Sequence, residues 1–189
     1  MFSGGGVSCR AMLGKGLVHV YTGFSKGKTT AAMGLALRAM GQGLNVLVVQ
    51  FLKGGDSVSG EIKMLSKIPG AEIIRFADQR HPLFCKDGCD IDDLKKSIRG
   101  GFSLVKEKIM SGEYDMAILD EINNCVKEGW LDVDDVALLI KERPDTLELV
   151  LTGRGCPKEI IELADYVTDM TVIKHPAENG VRARRGIEF

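Results

Sequence analysis

The feature that most constrains the fold is a short apolar run that leads directly into a glycine- and lysine-rich turn. Leu17 to Tyr21 is rich in apolar and β-branched residues, which favours a strand. From Lys28 to Met40, small and apolar residues recur at helical spacing until Gly41. The order of strand, turn and helix is the setting that a phosphate-binding loop requires. The turn reads Thr22, Gly23, Phe24, Ser25, Lys26, Gly27, Lys28, Thr29.

The rest of the chain alternates apolar runs with segments of helical periodicity. Continuous apolar runs are typical of parallel strands that are covered on both faces. The alternation predicts an α/β fold whose mostly parallel sheet is sandwiched between helices. The predicted strands are Val46 to Val49, Ile73 and Ile74, Met116 to Leu119, Leu147 to Leu151 and Val167 to Ile173. The predicted helices are Ile91 to Met110, Val133 to Lys141 and a segment from Pro157 to about Ala164.

Length and composition suit one soluble domain. The chain has 189 residues, of which 44% are hydrophobic and 27% are charged. Because no apolar run reaches about 18 residues, no membrane association is expected, and a formal net charge of -1 gives no indication of a nucleic-acid partner. Five unpaired-looking cysteines and the absence of a signal-like apolar core predict a cytoplasmic protein. We expect a flexible segment over residues 1–16 and a single domain over 17–189.

The turn departs from the usual phosphate-loop signature by one position. The signature begins with a glycine five residues before its Gly-Lys pair, whereas here that position holds Thr22 and the glycine follows at Gly23. Lys28 would contact the terminal phosphates of a nucleotide and the Thr29 hydroxyl would bind Mg²⁺. The alternative is a glycine-rich turn with surface lysines. The preceding strand and the following helix favour nucleotide binding.

Two adjacent carboxylates, Asp120 and Glu121, follow the buried strand that ends at Leu119. Open α/β sheets bind ligands at the carboxyl ends of their strands, and Mg²⁺ prefers oxygen ligands. The pair therefore predicts a magnesium site, with Glu121 as the first choice of ligand and Asp120 as the second. The alternative is a helix cap or a solvated turn. Arg154, just after the strand that ends near Thr152, lies at the same predicted edge and is a further candidate for substrate binding.

Further short motifs are spread over the chain, and together they resemble those of one known family, the ATP:corrinoid adenosyltransferases of the cob(I)yrinic acid a,c-diamide type. The resemblance extends from about Leu17 to Phe189, and the loop of that family also begins with Thr-Gly. The motifs are Tyr21 to Gly23, Lys26 to Thr30, Arg38 to Gly41, Val48 to Gly54, Gly60 and Glu61, Asp115 to Glu121, Arg143 and Pro144, Thr152 to Gly155, Ala164 and Asp165, Lys174 to Pro176, and Gly186 to Phe189.

The resemblance implies a P-loop NTPase fold of the RecA-like type and a specific reaction. A corrinoid cobalt(I) would attack the 5′-carbon of ATP, so that an adenosylcorrinoid forms and triphosphate leaves. Catalysis would rest on Lys28, Thr29 and Glu121 with Mg²⁺, and the loop from Gly23 to Thr30 would bind ATP. The resemblance further implies a homodimer and a flavoprotein that reduces the cobalt.

The chain differs from the family at two places. Phe24 and Ser25 stand where the family loop usually has Asn-Gly. The family's Gly-Phe-Thr-Trp segment is absent, and an ungapped count back from Asp120 aligns Phe84 with its Phe and Lys86 with its Trp. The resemblance implies that Phe84 packs against the lower face of the corrinoid, a role for which Lys86 has no aromatic ring.

Three alternatives stay open from the sequence. His81, Cys85 and Cys89 recur every four residues and could bind a metal, although their spacing is not a standard zinc or iron–sulfur motif. A hydrolytic or kinase-type NTPase would need an activating carboxylate, for which Glu61 or one of the Asp120 and Glu121 pair is available. A protein that binds ATP or corrinoid without turnover is the third alternative.

Overall fold

The structure is a computed structural model, and it describes residues 13–55, 58–84, 88 and 90–188, without the side chain of Phe84. Most of the predicted N-terminal segment therefore lies outside the described residues. So do Cys85, Lys86 and Cys89, on which the metal alternative and one departure from the family depend. The extent of the single domain stays a prediction.

Within the described residues, one sheet of six strands forms the centre of the molecule, in the order β3-β2-β4-β5-β1-β6. All five neighbouring pairs are parallel, so the predicted parallel sheet is confirmed. The strands are β1 (Val18–Thr22), β2 (Val46–Gln50), β3 (Ala71–Arg75), β4 (Met116–Asp120), β5 (Glu148–Thr152) and β6 (Tyr166–Asp169).

Helices connect the strands, and the longest agrees with the sequence prediction at both ends. Its first turn is capped by Asp90, whose carboxylate accepts hydrogen bonds from the backbone N–H groups of Asp92 and Asp93. The helices are α1 (Lys28–Gly41), α2 (Gly60–Leu65), α3 (Ile91–Met110), α4 (Ile122–Lys127), α5 (Val133–Glu142) and α6 (Lys158–Leu163), with short 3₁₀ turns at Pro82–Phe84 and Pro176–Asn179. The sequence did not predict α2 and α4.

The helices cover both faces of the sheet. On β4, Ala117 and Leu119 belong to one apolar cluster, which α3, α4, α5 and α6 complete. Met116 and Ile118 face the other way, into a second cluster with α1 and α2. This arrangement explains why the central strands are continuous apolar runs, because both of their faces are buried.

The last strand is shorter than predicted. The sequence predicted a strand from Val167 to Ile173, whereas β6 ends at Asp169. The cause is its partner, because among the described residues β6 pairs only with β1, and β1 ends at Thr22, opposite Asp169. Beyond that point the described chain offers no strand for pairing, and Ile173 is 97% exposed.

The described part of the chain contains no helix that is both long enough and apolar enough to cross a membrane. Three buried polar residues lie at one edge of the sheet, where the parallel strands end. Gln50, Asp120 and Thr152 end β2, β4 and β5, and the register aligns Gln50 with Asp120. The loop after β1 begins at the same edge.

Candidate active site

The loop between β1 and α1 needs glycine where the sequence has it. Gly23 has a φ of 97°, and a Cβ added there would lie 2.2 Å from the Asp169 carboxylate and 2.4 Å from the carbonyl oxygen of Met170. Thr22, in contrast, ends β1 and is buried. The close passage of the segment after β6 therefore fixes glycine at 23 and permits threonine at 22. Gly27, with a φ of 114°, turns the chain into α1.

Lys28 lies in the first turn of α1, and its ammonium group faces the inside of the loop. The residue is 7% exposed, and Nζ donates hydrogen bonds of 2.6 Å each to the carbonyl oxygens of Gly23 and Ser25. Burial lowers the pKa of Lys28, and the nearby Glu121 carboxylate opposes that shift. The loop thus holds a cation at the N-terminus of a helix, the place where an anion is favoured.

The Asp120 carboxylate is fully buried and takes part in four hydrogen bonds. Oδ1 accepts from the Thr29 and Thr152 hydroxyl groups, at 2.9 and 2.7 Å. Oδ2 accepts from Gln50 Nε2 at 3.1 Å and from Lys53 Nζ at 2.6 Å. Asp120 therefore links the loop threonine to the ends of three neighbouring strands.

Glu121 adopts an unusual backbone conformation, with a φ of 66°. Its N–H donates to the Thr152 hydroxyl at 3.0 Å, and its carboxylate accepts from the Asn124 side chain at 2.6 Å. Burial raises the pKa of Glu121, and the charge of Asp120 raises it further. The backbone turn directs Glu121 to the cleft, while Asp120 stays inside the sheet edge.

The residues at this edge fit a divalent cation. The Thr29 hydroxyl and the Asp120 carboxylate are hard oxygen donors in mutual contact, and Mg²⁺ commonly uses one or two carboxylates together with substrate phosphates and waters. A positive group, the Lys53 ammonium, already contacts both oxygens. Among the residues that the structure describes, no cluster of three or more His, Cys, Asp or Glu side chains could hold a metal by itself.

A cleft of about 790 Å³ opens above these groups. Its walls contain the loop from Phe24 to Thr30, together with Glu121 and Arg154. Three exposed apolar side chains, those of Phe24, Leu83 and Ile187, also line it. The polar floor and the apolar rim suit a ligand that has both a charged and a large apolar part.

The carboxyl-terminal segment lies against the loop. Glu188 accepts hydrogen bonds from Lys26 Nζ at 3.3 Å and from Arg184 Nη2 at 3.1 Å. The Arg184 guanidinium lowers the pKa of Glu188 to about 2. Of the basic residues near the chain end, Arg184 is therefore engaged by a neighbouring carboxylate.

Most of the predicted site residues meet at the cleft. Lys28, Thr29 and Thr30 line it with Glu121 and Arg154, while Asp120 lies beneath Thr29. The side chain of Phe84 lies outside the description, so its role stays a prediction, as does the preference for Glu121 over Asp120. The sequence analysis included Gln50, Lys53 and Thr152 in the family motifs but assigned them no role in the site. The signal was available, because all three lie in or just after an apolar strand at the binding edge.

The fold and the site together define a class of protein. A parallel sheet between helices, a glycine-containing loop from the first strand to the first helix and an acidic strand end facing that loop are the features of P-loop NTPase-like domains. Comparison with known proteins narrows the class. Residues 14–189 match the family ATP:corrinoid adenosyltransferase BtuR/CobO/CobP. The chain belongs to this family, and the resemblance seen in the sequence is confirmed.

Relatives in several bacteria agree with the family match. The corrinoid adenosyltransferase of Escherichia coli strain K12 is 36% identical over 175 residues, which is 93% of this chain and 86% of that protein. The corrinoid adenosyltransferase of Pseudomonas aeruginosa is 33% identical over 93% of this chain and 84% of its own length. The corrinoid adenosyltransferase CobA of Salmonella typhimurium is 34% identical over 93% of this chain and 86% of its own length.

Proposed function

We propose that this protein transfers the 5′-deoxyadenosyl group of ATP to the cobalt(I) of a corrinoid and releases triphosphate, in the biosynthesis or salvage of adenosylcobalamin. The family match over residues 14–189 carries the proposal. The contact between Thr29 and Asp120, beside the buried Lys28, supports it with a site suited to a triphosphate. A generic NTPase is less favoured, because the match extends well beyond the phosphate loop.

The reaction requires no nucleophile from the protein. The electron pair of cobalt(I) forms the bond to the 5′-carbon, the bond from that carbon to the triphosphate oxygen breaks, and its electron pair leaves with triphosphate. Cobalt is formally oxidised by two electrons in this step. The protein holds the 5′-carbon in line with cobalt and stabilises the charge of the leaving group. Lys28 and the N–H groups of the loop from Gly23 to Thr30 perform the second task.

Thr29, Asp120 and Glu121 would hold Mg²⁺ with the triphosphate. The bound ion would supply electrophilic stabilisation of the leaving phosphate oxygens. The contact at 2.9 Å between the Thr29 hydroxyl and Asp120 Oδ1 supports Thr29 and Asp120 as neighbouring donors. The raised pKa of Glu121 reflects a buried carboxylate that an added positive charge would stabilise.

The apolar rim of the cleft would receive the corrinoid. Phe24, Leu83 and Ile187 are exposed at the cleft and could cover the edge or face of a large ring. Phe84 follows Leu83 directly, which is compatible with its proposed place under the corrinoid. Arg154 adds a cationic donor on the same wall, suited to phosphate or to the polar side groups of the corrinoid.

We further propose a cytoplasmic homodimer that receives its corrinoid in reduced form from a flavoprotein. The edge strand β6 exposes Tyr166 and Val167, and Val172 and Ile173 follow with exposed side chains, which supports an interface with a second copy. The chemistry requires a reductant, because the cobalt must carry the attacking electron pair, and the choice of a flavoprotein rests on the family resemblance alone. Light scattering of the purified protein tests the dimer.

One assay tests the proposed activity. The protein is incubated without oxygen with ATP, Mg²⁺ and chemically reduced cobalamin, and both products are measured. We expect triphosphate and a light-sensitive adenosylcobalamin to form in equal amounts. Phosphate and ADP formed without corrinoid would instead identify a hydrolytic NTPase. Neither product, combined with thermal stabilisation by ATP, would identify a binding protein.

A further inference from the structure

Lys53 follows β2 and extends its side chain to the centre of the site. Its Nζ lies 2.6 Å from Asp120 Oδ2 and 3.0 Å from Thr29 Oγ1. Two contacts hold the backbone at this point, a bridge to Arg80 and a hydrogen bond of 2.6 Å from the Arg75 guanidinium to the Lys53 carbonyl oxygen. The ammonium group therefore reaches the carboxylate from a fixed backbone position.

The charge of Asp120 explains why a cation is needed there. A fully buried carboxylate is costly unless it is paired and hydrogen-bonded. Thr29, Thr152 and Gln50 supply neutral hydrogen bonds, and Lys53 supplies the opposite charge. Nζ of Lys28 instead donates to two loop carbonyls.

We propose that Lys53 is a positioning residue that acts as an internal substitute for the divalent cation. Before nucleotide binds, its ammonium holds Thr29 and Asp120 together and competes with the metal for these two oxygens. The inference rests on the proposed function, which assigns both oxygens to Mg²⁺. The side chain is 30% exposed and lines the cleft. A displaced Lys53 ammonium therefore has room to turn toward the part of the cleft that receives the triphosphate.

The exchange of the Lys53 ammonium for a divalent cation makes metal binding depend on nucleotide. A divalent ion that arrives alone must displace an ammonium from its carboxylate, which opposes binding. An ion that arrives with a triphosphate brings oxygen atoms to which the displaced Lys53 can donate. The protein thereby favours the metal–nucleotide complex over the free metal, and Asp120 keeps a positive partner in both states.

Binding of Mn²⁺ to the nucleotide-free protein tests the inference, measured by electron paramagnetic resonance. Lys53→Met removes the ammonium and keeps the length of the side chain. We expect the variant to bind Mn²⁺ at least about tenfold more tightly than the wild type, because two cations that share a site repel strongly even in a polar environment. Equal or weaker binding by Lys53→Met would overturn the inference.

Lys127→Met is the matched control. It removes a lysine charge from helix α4, where Lys127 Nζ contacts Glu128 at 3.2 Å and does not line the cleft. Its Mn²⁺ affinity should stay within about twofold of the wild type, because the charge lies outside the exchanged pair. A gain equal to that of Lys53→Met would show a general charge effect and would also overturn the inference.

Thermal unfolding gives a second readout that does not require activity, and Lys53→Gln serves if the methionine variant does not fold. Without metal, Lys53→Gln should melt below the wild type, and Mg²⁺ alone should restore most of the difference. Failure of Mg²⁺ to restore stability would contradict the exchange. If wild-type protein makes no adenosylcobalamin, the proposed function fails separately, since both measurements use protein without ATP or corrinoid.

Discussion

The two lysines of the loop differ in what they contact, and this predicts different effects of their removal. Lys28 Nζ is directed into the loop, whereas Lys26 is half exposed and contacts Glu188. Lys28→Ala should lower the rate of triphosphate release at least about 100-fold, because it removes the charge that stabilises the leaving group. Lys26→Ala should lower the rate of triphosphate release much less. Comparable rates for wild type and Lys28→Ala would contradict the assignment of the loop.

The buried Glu121 carboxylate should make the stability of the protein depend on pH. Burial and the neighbouring Asp120 raise its pKa above the ordinary value of 4.5. A raised pKa means that the folded state holds this proton more tightly than the unfolded state does. The group therefore contributes stability that is present below pH 4.5 and is lost as pH rises through the raised pKa.

Glu121→Gln removes this titration and keeps the shape of the side chain. We expect the variant to lose less stability than the wild type as pH rises from below 4.5 toward neutrality. Denaturant unfolding at a series of pH values, in the absence of metal, measures the difference. Parallel curves for the two proteins would show that Glu121 does not carry the effect.

At the scale of single elements, helix α3 offers a matched pair of adjacent glycines. A Cβ added at Gly100 meets nothing within 4 Å, whereas one at Gly101 would lie 2.7 Å from the Phe76 ring. Gly100→Ala should raise the free energy of unfolding by about 0.5–1 kcal/mol through helix propensity. Gly101→Ala should lower it by about 1–3 kcal/mol, because the ring must move. Denaturant unfolding measures both free energies, and equal effects of the two substitutions would contradict the packing of α3 on Phe76.

Helices of different length differed in how well the sequence predicted them. Helix α3 combines clear periodicity with the capping residue Asp90, and its predicted bounds were correct. Helices α2 and α4 have six residues each, too few for a period of 3.6 to repeat twice. Helix α6 is equally short, but Pro157 marks its start in the sequence. The end of β6 was wrong because it depends on where β1 ends, a tertiary fact that no local pattern contains.

The site was predictable where chemistry is local in the sequence. Lys28 and Thr29 belong to a contiguous loop, and Asp120 directly follows an apolar strand. Lys53 was assigned no role in the site because its contact with Asp120 depends on the pairing of β2 with β4 and on the hydrogen bond that fixes its backbone. Such contacts between distant segments follow from strand order, which the sequence alone left open.

At the scale of the whole molecule, the position of β1 in the sheet determines which segments complete the phosphate loop. In the part of the chain that the structure describes, β1 lies between β5 and β6 and pairs with no other strand. The loop that follows it is closed by Met170, whose carbonyl oxygen accepts a hydrogen bond of 2.9 Å from the Ser25 N–H. An early segment of the chain is thus completed only by late ones.

This placement has a consequence for the order of folding. Synthesis proceeds at roughly 5–20 residues per second, so β5, which begins at Glu148, is made on the order of ten seconds after β1. The phosphate loop is therefore among the last parts to form, although it is synthesised before β5 and β6. In refolding followed by pulsed hydrogen exchange, amides of Val18–Thr22 should gain protection no earlier than those of β5. Protection of β1 while β5 still exchanges would show that the strand orders without its partners.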